Sequence, residues 1–474
     1  MNNKKSTIQL SEQMINTNYS SKPSFIMQLV PEIILRNFRG RTTFQQVFKN
    51  SLWMTIYTFI LPFITSFFVN AWIARYLGPN QFGILTYIFT FSSIFLSINY
   101  LGLDAVVFRN LCGDKDGAGK ILGTSVFLRL IAGLISIILG MIIFSRINHG
   151  DYFLLGMVFI SLTSNIAQAL NVIESFFQSK LRVKSIAVVR IIVIVSISIA
   201  KILAIISHAP LSTFIVLGSF DAVLSAFLLY FMFRRMKNHF TWSFDSKYAI
   251  HLLRDGFPLM LAGLTFTLYT KLDQIILKFF QGNNQLGQYA IALGIVESFN
   301  FLPLIIVNSI SPLVVDSAKN DENKFSLYME NIYRIMLLIS IIIGMFLFFI
   351  GKPFVPLIFG QQYADASYLL GFVQFRLFFT CFSVARGLYI TSKGAFKLTL
   401  VSQVFALIVG LSLNFLLIPA YGVFGLLLSS LASFTISIFI VDIFHPLGRQ
   451  NLSYIIRAVL TPHLLRFSTI DRKI

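Results

Sequence analysis

The chain has 474 residues, 56% of them hydrophobic and only 12% charged, with a mean hydropathy of +0.77 and a formal net charge of +19. That balance excludes an ordinary soluble globular protein and points to a membrane protein. It also speaks against nucleic acid as a partner, because no soluble domain is present on which the basic residues would gather into a face.

Residues 1–50 are polar and basic and have no apolar core long enough for a signal peptide. They read as a cytoplasmic N-terminal extension, in which 25–35 is a candidate short interfacial helix interrupted by Pro31. After them come twelve apolar stretches: 51–73, 82–103, 124–144, 152–177, 185–207, 211–233, 257–281, 287–315, 331–351, 364–390, 398–418 and 421–444. An α-helix needs about 20 such residues to cross the hydrocarbon layer. Lipid leaves unpaired backbone groups without partners, and the runs are too long for barrel strands, so the expected fold is an all-α integral membrane bundle.

Of the 38 Lys and Arg residues, 27 fall in the N-terminal segment and in every second connection, and only Arg75, Arg146 and Lys352 fall in the alternate loops. The positive-inside rule then places both termini in the cytoplasm. The long polar connection 234–256 divides the chain into an N-terminal lobe (51–233) and a C-terminal lobe (257–444), with 445–474 as a cytoplasmic tail. A repeat supports the division. Gly78-Pro79-Asn80-Gln81-Phe82-Gly83 returns as Gly282-Asn283-Asn284-Gln285-Leu286-Gly287, and Ser179-Lys180-Leu181-Arg182-Val183-Lys184 as Ser392-Lys393-Gly394-Ala395-Phe396-Lys397. Six helices per lobe is an even number, so the lobes are expected to be parallel repeats about an axis along the membrane normal.

No phosphate-cradling Gly-Lys-Ser/Thr loop, metal-ligand spacing or nucleophile–base pair is present, and Cys112 and Cys381 form no redox pattern. The expectation is therefore a non-enzyme without metal or cofactor.

The informative residues are ionisable groups inside the apolar stretches: Arg129, Arg190, Lys201, Lys271, Lys278, Arg334, Arg376 and Arg386 against Glu174, Asp221, Asp273 and Glu297, with Asp104 and Asp442 near helix ends. A charge at mid-membrane costs about 2.5–3.5 kcal/mol on insertion scales, so these groups should face a watery cavity or one another. Arg129 and Arg334, near helix ends, are expected to snorkel to the interface, and Lys278 is open to the same reading. Helical spacing puts Thr267, Lys271, Gln274 and Lys278 on one face, Arg376, Thr380, Ser383 and Arg386 on another, and Arg190 with Lys201 on a third. Neutral stripes run through Ser164, Gln168, Asn171, Ser175 and Gln178, and through Thr86, Thr90, Ser93, Ser97 and Tyr100. Such stripes either line a cavity or join helices by hydrogen bonds.

If opposite charges pair, a basic surplus remains, and the cavity should suit an anion such as a phosphate or carboxylate. Lys271, Gln274, Lys278, Arg376, Arg386, Arg190, Lys201, Gln168 and Asn171 are the expected substrate-binding residues. Glu297, Asp273, Glu174 and Asp221 are expected to pair with the bases, with titration for ion coupling as the other role.

The run Ala74-Arg75-Tyr76-Leu77-Gly78-Pro79-Asn80-Gln81-Phe82-Gly83-Ile84 resembles the first outer turn of the polysaccharide repeat-unit flippases that carry O-antigen and capsule precursors. Tyr100-Leu101-Gly102-Leu103-Asp104, Arg109-Asn110-Leu111 and Leu122-Gly123-Thr124 resemble the family's next segments, and the resemblance spans about residues 45–445. It implies a V-shaped bundle of six plus six helices like that of the related multidrug exporters, and alternating access. The cargo it implies is an undecaprenyl-diphosphate-linked oligosaccharide turned to the outer leaflet of the cytoplasmic membrane. It further implies a cationic lumen, coupling to an H⁺ or Na⁺ gradient in some members, and work beside the polysaccharide polymerase and chain-length machinery. A multidrug/cation antiporter of the same fold is the alternative, disfavoured by the basic surplus. A lipid-modifying polymerase or ligase is disfavoured because the longest outer loop, about 351–363, is short. A scaffold without transport leaves the intramembrane charges unexplained.

Overall fold

The computed structural model describes Trp53, Thr58 and residues 60–113, 117–148, 150–236 and 241–461. The expected N-terminal extension and the end of the tail lie outside these residues. No strand occurs among the described residues.

The N-terminal half comprises α1 (Leu61–Tyr100), α2 (Leu103–Gly113), α3 (Ala118–Ile147), α4 (Tyr152–Ala167), a 3-10 turn (Gln168–Asn171), α5 (Val172–Ser179), α6 (Val183–Ile206) and α7 (Leu211–Arg235). The C-terminal half comprises α8 (Ser246–Ser298), α9 (Phe301–Asn320), α10 (Glu322–Phe359), a 3-10 turn (Gln361–Tyr363), α11 (Ala364–Val373), α12 (Phe375–Lys393), α13 (Phe396–Tyr421) and α14 (Val423–Thr435). A π turn (Ile436–Ile440), α15 (Val441–Ile443) and α16 (Pro446–Leu460) complete it. Aspartates cap three helix starts: Asp151 accepts from the Leu154 amide, Asp245 from Tyr248 and Asp321 from Lys324.

Among the described residues, nine helical segments are long and apolar enough to cross a membrane, or ten if the pair Gln361–Val373 and Phe375–Lys393, bent by 44°, is one span. Two of them, Phe67–Gly113 and Ser246–Asn320, each contain a glycine break: the first holds the end of the 51–73 stretch and all of 82–103, the second both 257–281 and 287–315. The breaks are Gly78 (φ 72°, ψ 168°) and Gly282 (φ 80°, ψ −178°). A positive φ with extended ψ is open to glycine and strained for other residues. The chain reverses at Gly78. Before it, Arg75 lies beside Gly360 and Phe67 beside Phe354, so that segment runs along α10 away from the turn. After it, Tyr87 meets Asn148 and Asn99 donates to the Asn165 carbonyl, so the chain runs back along α3 and α4.

The two glycine turns touch reciprocally. Gly83 packs on the carbonyl of Asn283, and Gly287 on the carbonyl of Pro79, each too close for a Cβ to fit. Positions 79 and 83 become 283 and 287 on adding the repeat offset of 204, so the contact maps onto itself. The duplication is therefore visible as a local two-fold relation at this, the turn end of the bundle.

At the opposite, linker end, the halves meet again. Gly102 lies against the Gly256 carbonyl, Asn110 donates to the Tyr248 hydroxyl at 2.7 Å, and Arg109 pairs with Asp255 at 2.6 Å. Two segments differ from their expected form. The connection 234–256 is helical from Ser246, because Asp245 caps that helix. The tail carries α16, held because Asn451 is fully buried between the Tyr333 hydroxyl and Asp442. Outward-facing residues of α3 such as Leu134, Ile138 and Ile142 are exposed at intervals of four, as a lipid-facing stripe requires.

Candidate functional site

α1 and α8 make the most extensive helix contact in the bundle, and the second arm of α1 runs antiparallel to the first arm of α8 along the boundary between halves. Their polar stripes face each other. The Thr90 hydroxyl donates to Gln274 Oε1 at 3.1 Å, and Ser97 and Thr267 share a hydrogen bond of 2.8 Å. Both stripes were legible as 3- and 4-residue periodicity, but their mutual registry was not.

Lys271 lies between Thr267 and Gln274 on this seam. Its Nζ donates to Glu297 Oε1 at 3.4 Å, and the two side chains are 30% and 42% exposed. Charge-assisted bonds are ordinarily about 2.7–2.9 Å. This pair is thus long, accessible and separable. Lys278, two helical turns closer to the turn end, donates to Asn148 Oδ1 at 2.7 Å and sits 4.4 Å over the Tyr87 ring. Cation–π contact and an amide hold it in place without cancelling its charge.

A second polar cluster lies in the N-terminal half. The Tyr100 hydroxyl donates to Gln168 Oε1 at 2.5 Å, and Gln168 donates to Asn165 at 3.3 Å. Arg190 gives two hydrogen bonds to Glu174, at 3.0 and 2.6 Å. These groups collect because the 152–177 stretch breaks into the 3-10 turn at Gln168–Asn171, which turns Asn171 and Glu174 toward the end of α1. Beside them is a cavity of about 370 Å³ lined by Tyr100, Asp104, Asn171, Glu174, Gln178 and Arg190, among others. Lys201 and Asp221, both half-buried, interact electrostatically in the same half.

The two arginines of α12 sit elsewhere. Arg376 is 6% exposed, 3.1 Å from Asp273, with the Tyr289 hydroxyl at 2.5 Å and the Phe434 ring beneath it. Arg386 is 5% exposed and makes bonds of 2.9 and 2.5 Å to Asp442. Each is neutralised within the C-terminal half, not at the seam.

Arg129 and Arg334 do not snorkel. Arg129 is fully buried, 2.7 Å from Asp104 and stacked 5.2 Å from the Tyr100 ring; Arg334 is 1% exposed and bonds Glu330 at 3.1 Å and the Thr461 carbonyl at 3.0 Å. Proximity to a helix end was a misleading signal, because a carboxylate and backbone carbonyls waited there. Asp104, Glu330 and Asp442 thus join the ion pairs, and six of the eight intrahelical bases have a carboxylate within 4 Å. The positive surplus is smaller than a count within helices implies: of the eight, Lys201 and Lys278 lack a carboxylate within 4 Å among the described residues, and on the seam Lys278 stands beside Lys271, whose bond to Glu297 is long. Among the described residues no group of three or more His, Cys, Asp or Glu side chains is placed to hold a metal.

A family profile described as "Polysaccharide biosynthesis protein" matches residues 72–368. The capsular polysaccharide biosynthesis protein CapF of Staphylococcus aureus is 28% identical over 178 residues, which cover 35% of this chain and 43% of that protein, less than half its length. Among solved structures, a multidrug resistance MATE family transporter of the MOP superfamily, in an inward-facing conformation, matches with a TM-score of 0.67 at 13% identity, covering 87% of this chain and 99% of that one. The lipid II flippase MurJ in an inward closed conformation matches with a TM-score of 0.65 at 16% identity, covering 88% and 91%. At such identities these likenesses show the fold, a MATE-like multi-pass helical bundle, and nothing finer.

Proposed function

The chain belongs to the polysaccharide biosynthesis protein family, and on that premise we propose that it turns an undecaprenyl-diphosphate-linked oligosaccharide repeat unit across the cytoplasmic membrane for surface polysaccharide assembly. The observation that carries this reading is Lys271: a half-exposed cation at the boundary between the halves, in a seam otherwise built of neutral hydroxyls and amides, with a loose carboxylate partner. A diphosphate arriving there exchanges one weak bond for a stronger one. Lys278 offers a second positive charge along the same face. A cationic drug would instead meet two lysines, while the nearby carboxylates Asp273 and Glu174 are already bound to arginines.

Alternating access needs closures that part readily. The turn end is held by the reciprocal glycine contacts and by hydrogen bonds from Gln362 and the buried Tyr363 to the Arg75 and Ala74 carbonyls, the linker end in part by exposed pairs such as Arg109–Asp255. Exposed ion pairs contribute about 0–1 kcal/mol each, so the linker end is the closure that parts more readily. In this reading the linker end and both termini face the cytoplasm, where the Lys and Arg surplus lies, and the protein hands its cargo to the polymerase and chain-length machinery. Glu297, released from Lys271 by the cargo, is the residue placed to take up H⁺ or coordinate Na⁺ during the return step.

Lys271→Ala tests the proposal. Surface glycan should fall about tenfold with the protein level unchanged, the loss of about one charge-assisted contact. Normal glycan in that variant removes Lys271 from the path, and extrusion of a cationic dye with intact glycan would instead indicate drug export.

A further inference from the structure

The cavity in the N-terminal half differs chemically from the seam. Its lining carries two carboxylates, Asp104 and Glu174, and one guanidinium, Arg190, which Glu174 already engages. Both carboxylates are already matched, Asp104 by Arg129 and Glu174 by Arg190, so the cavity offers a diphosphate no uncommitted cation. The lining instead offers acceptors and donors close together: carboxylate oxygens, the amides of Asn171 and Gln178 and the Tyr100 hydroxyl, with the Phe108 side chain among them. At about 370 Å³ the cavity lies at the small end of the range for small-molecule sites.

We propose that this cavity, between the end of α1, the start of α2, α5 and α6, binds a saccharide ring of the cargo and so selects which glycan is moved. The chemistry is that of polyol recognition: each ring hydroxyl is both donor and acceptor and is best matched by paired carboxylate and amide groups, with a ring face against an aromatic side chain. Asp104 and Glu174 are held in fixed orientations by Arg129 and Arg190, so their outward lone pairs are pre-organised. The inference rests on the flippase reading, because it assigns the sugar to this pocket and leaves the diphosphate to Lys271.

The test uses the full chain in nanodiscs with four probes: farnesyl diphosphate, and farnesyl diphosphate carrying glucose, galactose or N-acetylglucosamine. The unmodified protein should bind at least one glycosylated probe about tenfold more tightly than the bare diphosphate. Asn171→Ala and Gln178→Ala should each collapse that ratio toward one, whereas Lys271→Ala should weaken all four probes and keep the ratio. Tyr100→Phe, nearly isosteric, repeats the test if an alanine variant fails to fold. A preference retained in all three pocket variants, or absent from the unmodified protein while bare diphosphate binds, overturns the saccharide pocket and leaves the flippase reading intact. Failure of every probe to bind overturns both.

Discussion

Arg376 and Asp273 are 103 residues apart in the chain and 3.1 Å apart in space, both buried, with the Tyr289 and Ser430 hydroxyls closing the cluster. Taking one partner away leaves the other charged and dry. Arg376→Ala should therefore destabilise the protein by about 3–5 kcal/mol, seen as a lower melting temperature in detergent, with glycan falling in step with protein level. The Asp273→Asn/Arg376→Gln double variant should recover part of that loss, because an amide pair leaves no unpaired charge. An unchanged melting point in Arg376→Ala would mean that the pair contributes little to the fold.

The reciprocal glycine contact makes a symmetric prediction. At Gly83 and at Gly287 an added methyl meets backbone of the opposite turn, which has no flexible end to move aside. Gly83→Ala and Gly287→Ala should each open the turn end and lower glycan export by similar factors. Because both residues guard one interface, the second substitution should cost less than the first. Strictly additive losses, measured as surface glycan in single and double variants, would show that the two contacts act independently.

Glu297 is the carboxylate partner of the seam cation. Glu297→Gln should abolish any dependence of transport on a pH gradient in reconstituted vesicles, since the amide cannot exchange a proton. Dependence that persists in the variant leaves Glu297 as a structural partner of Lys271 alone.

At the linker end, the hydrogen bond from Lys120 and then the Tyr248 amide hold the Asp245 carboxyl below its ordinary value of 3.8. A depressed carboxylate contributes stability that is complete above pH 3.8 and is lost as pH falls through the lower, folded value. The protection factors of amides in the first turn of α8, corrected for the intrinsic exchange rate, should thus fall as the medium is acidified below that point. Asp245→Ala, which removes the cap acceptor, should show low protection already at neutral pH and little further change in acid; protection equal to that of the unmodified protein would rule out the cap as the cause.

Much of the fold is set by local sequence properties. Twelve long apolar runs can only be helices in lipid, and two related phrases announced a duplication that the structure displays as matching glycine breaks at Gly78 and Gly282. The stripes on α1 and α8 were equally legible, because which residues share a face depends only on the helical repeat. Which acid meets which base was not. Arg129 and Arg334 stood near helix ends and looked free to reach water, and Arg376 and Arg386 lay on one face as a cavity lining would. Glu330, four residues before Arg334 on one helix, lay within reach of the helical repeat, but Asp104, Asp273 and Asp442 come from other helices, at separations that no periodicity encodes. Only the packed bundle decides these pairings, since an intramembrane charge settles on whatever carboxylate the tertiary fold brings within a few ångströms, and it is that settlement which leaves Lys271 accessible on the seam.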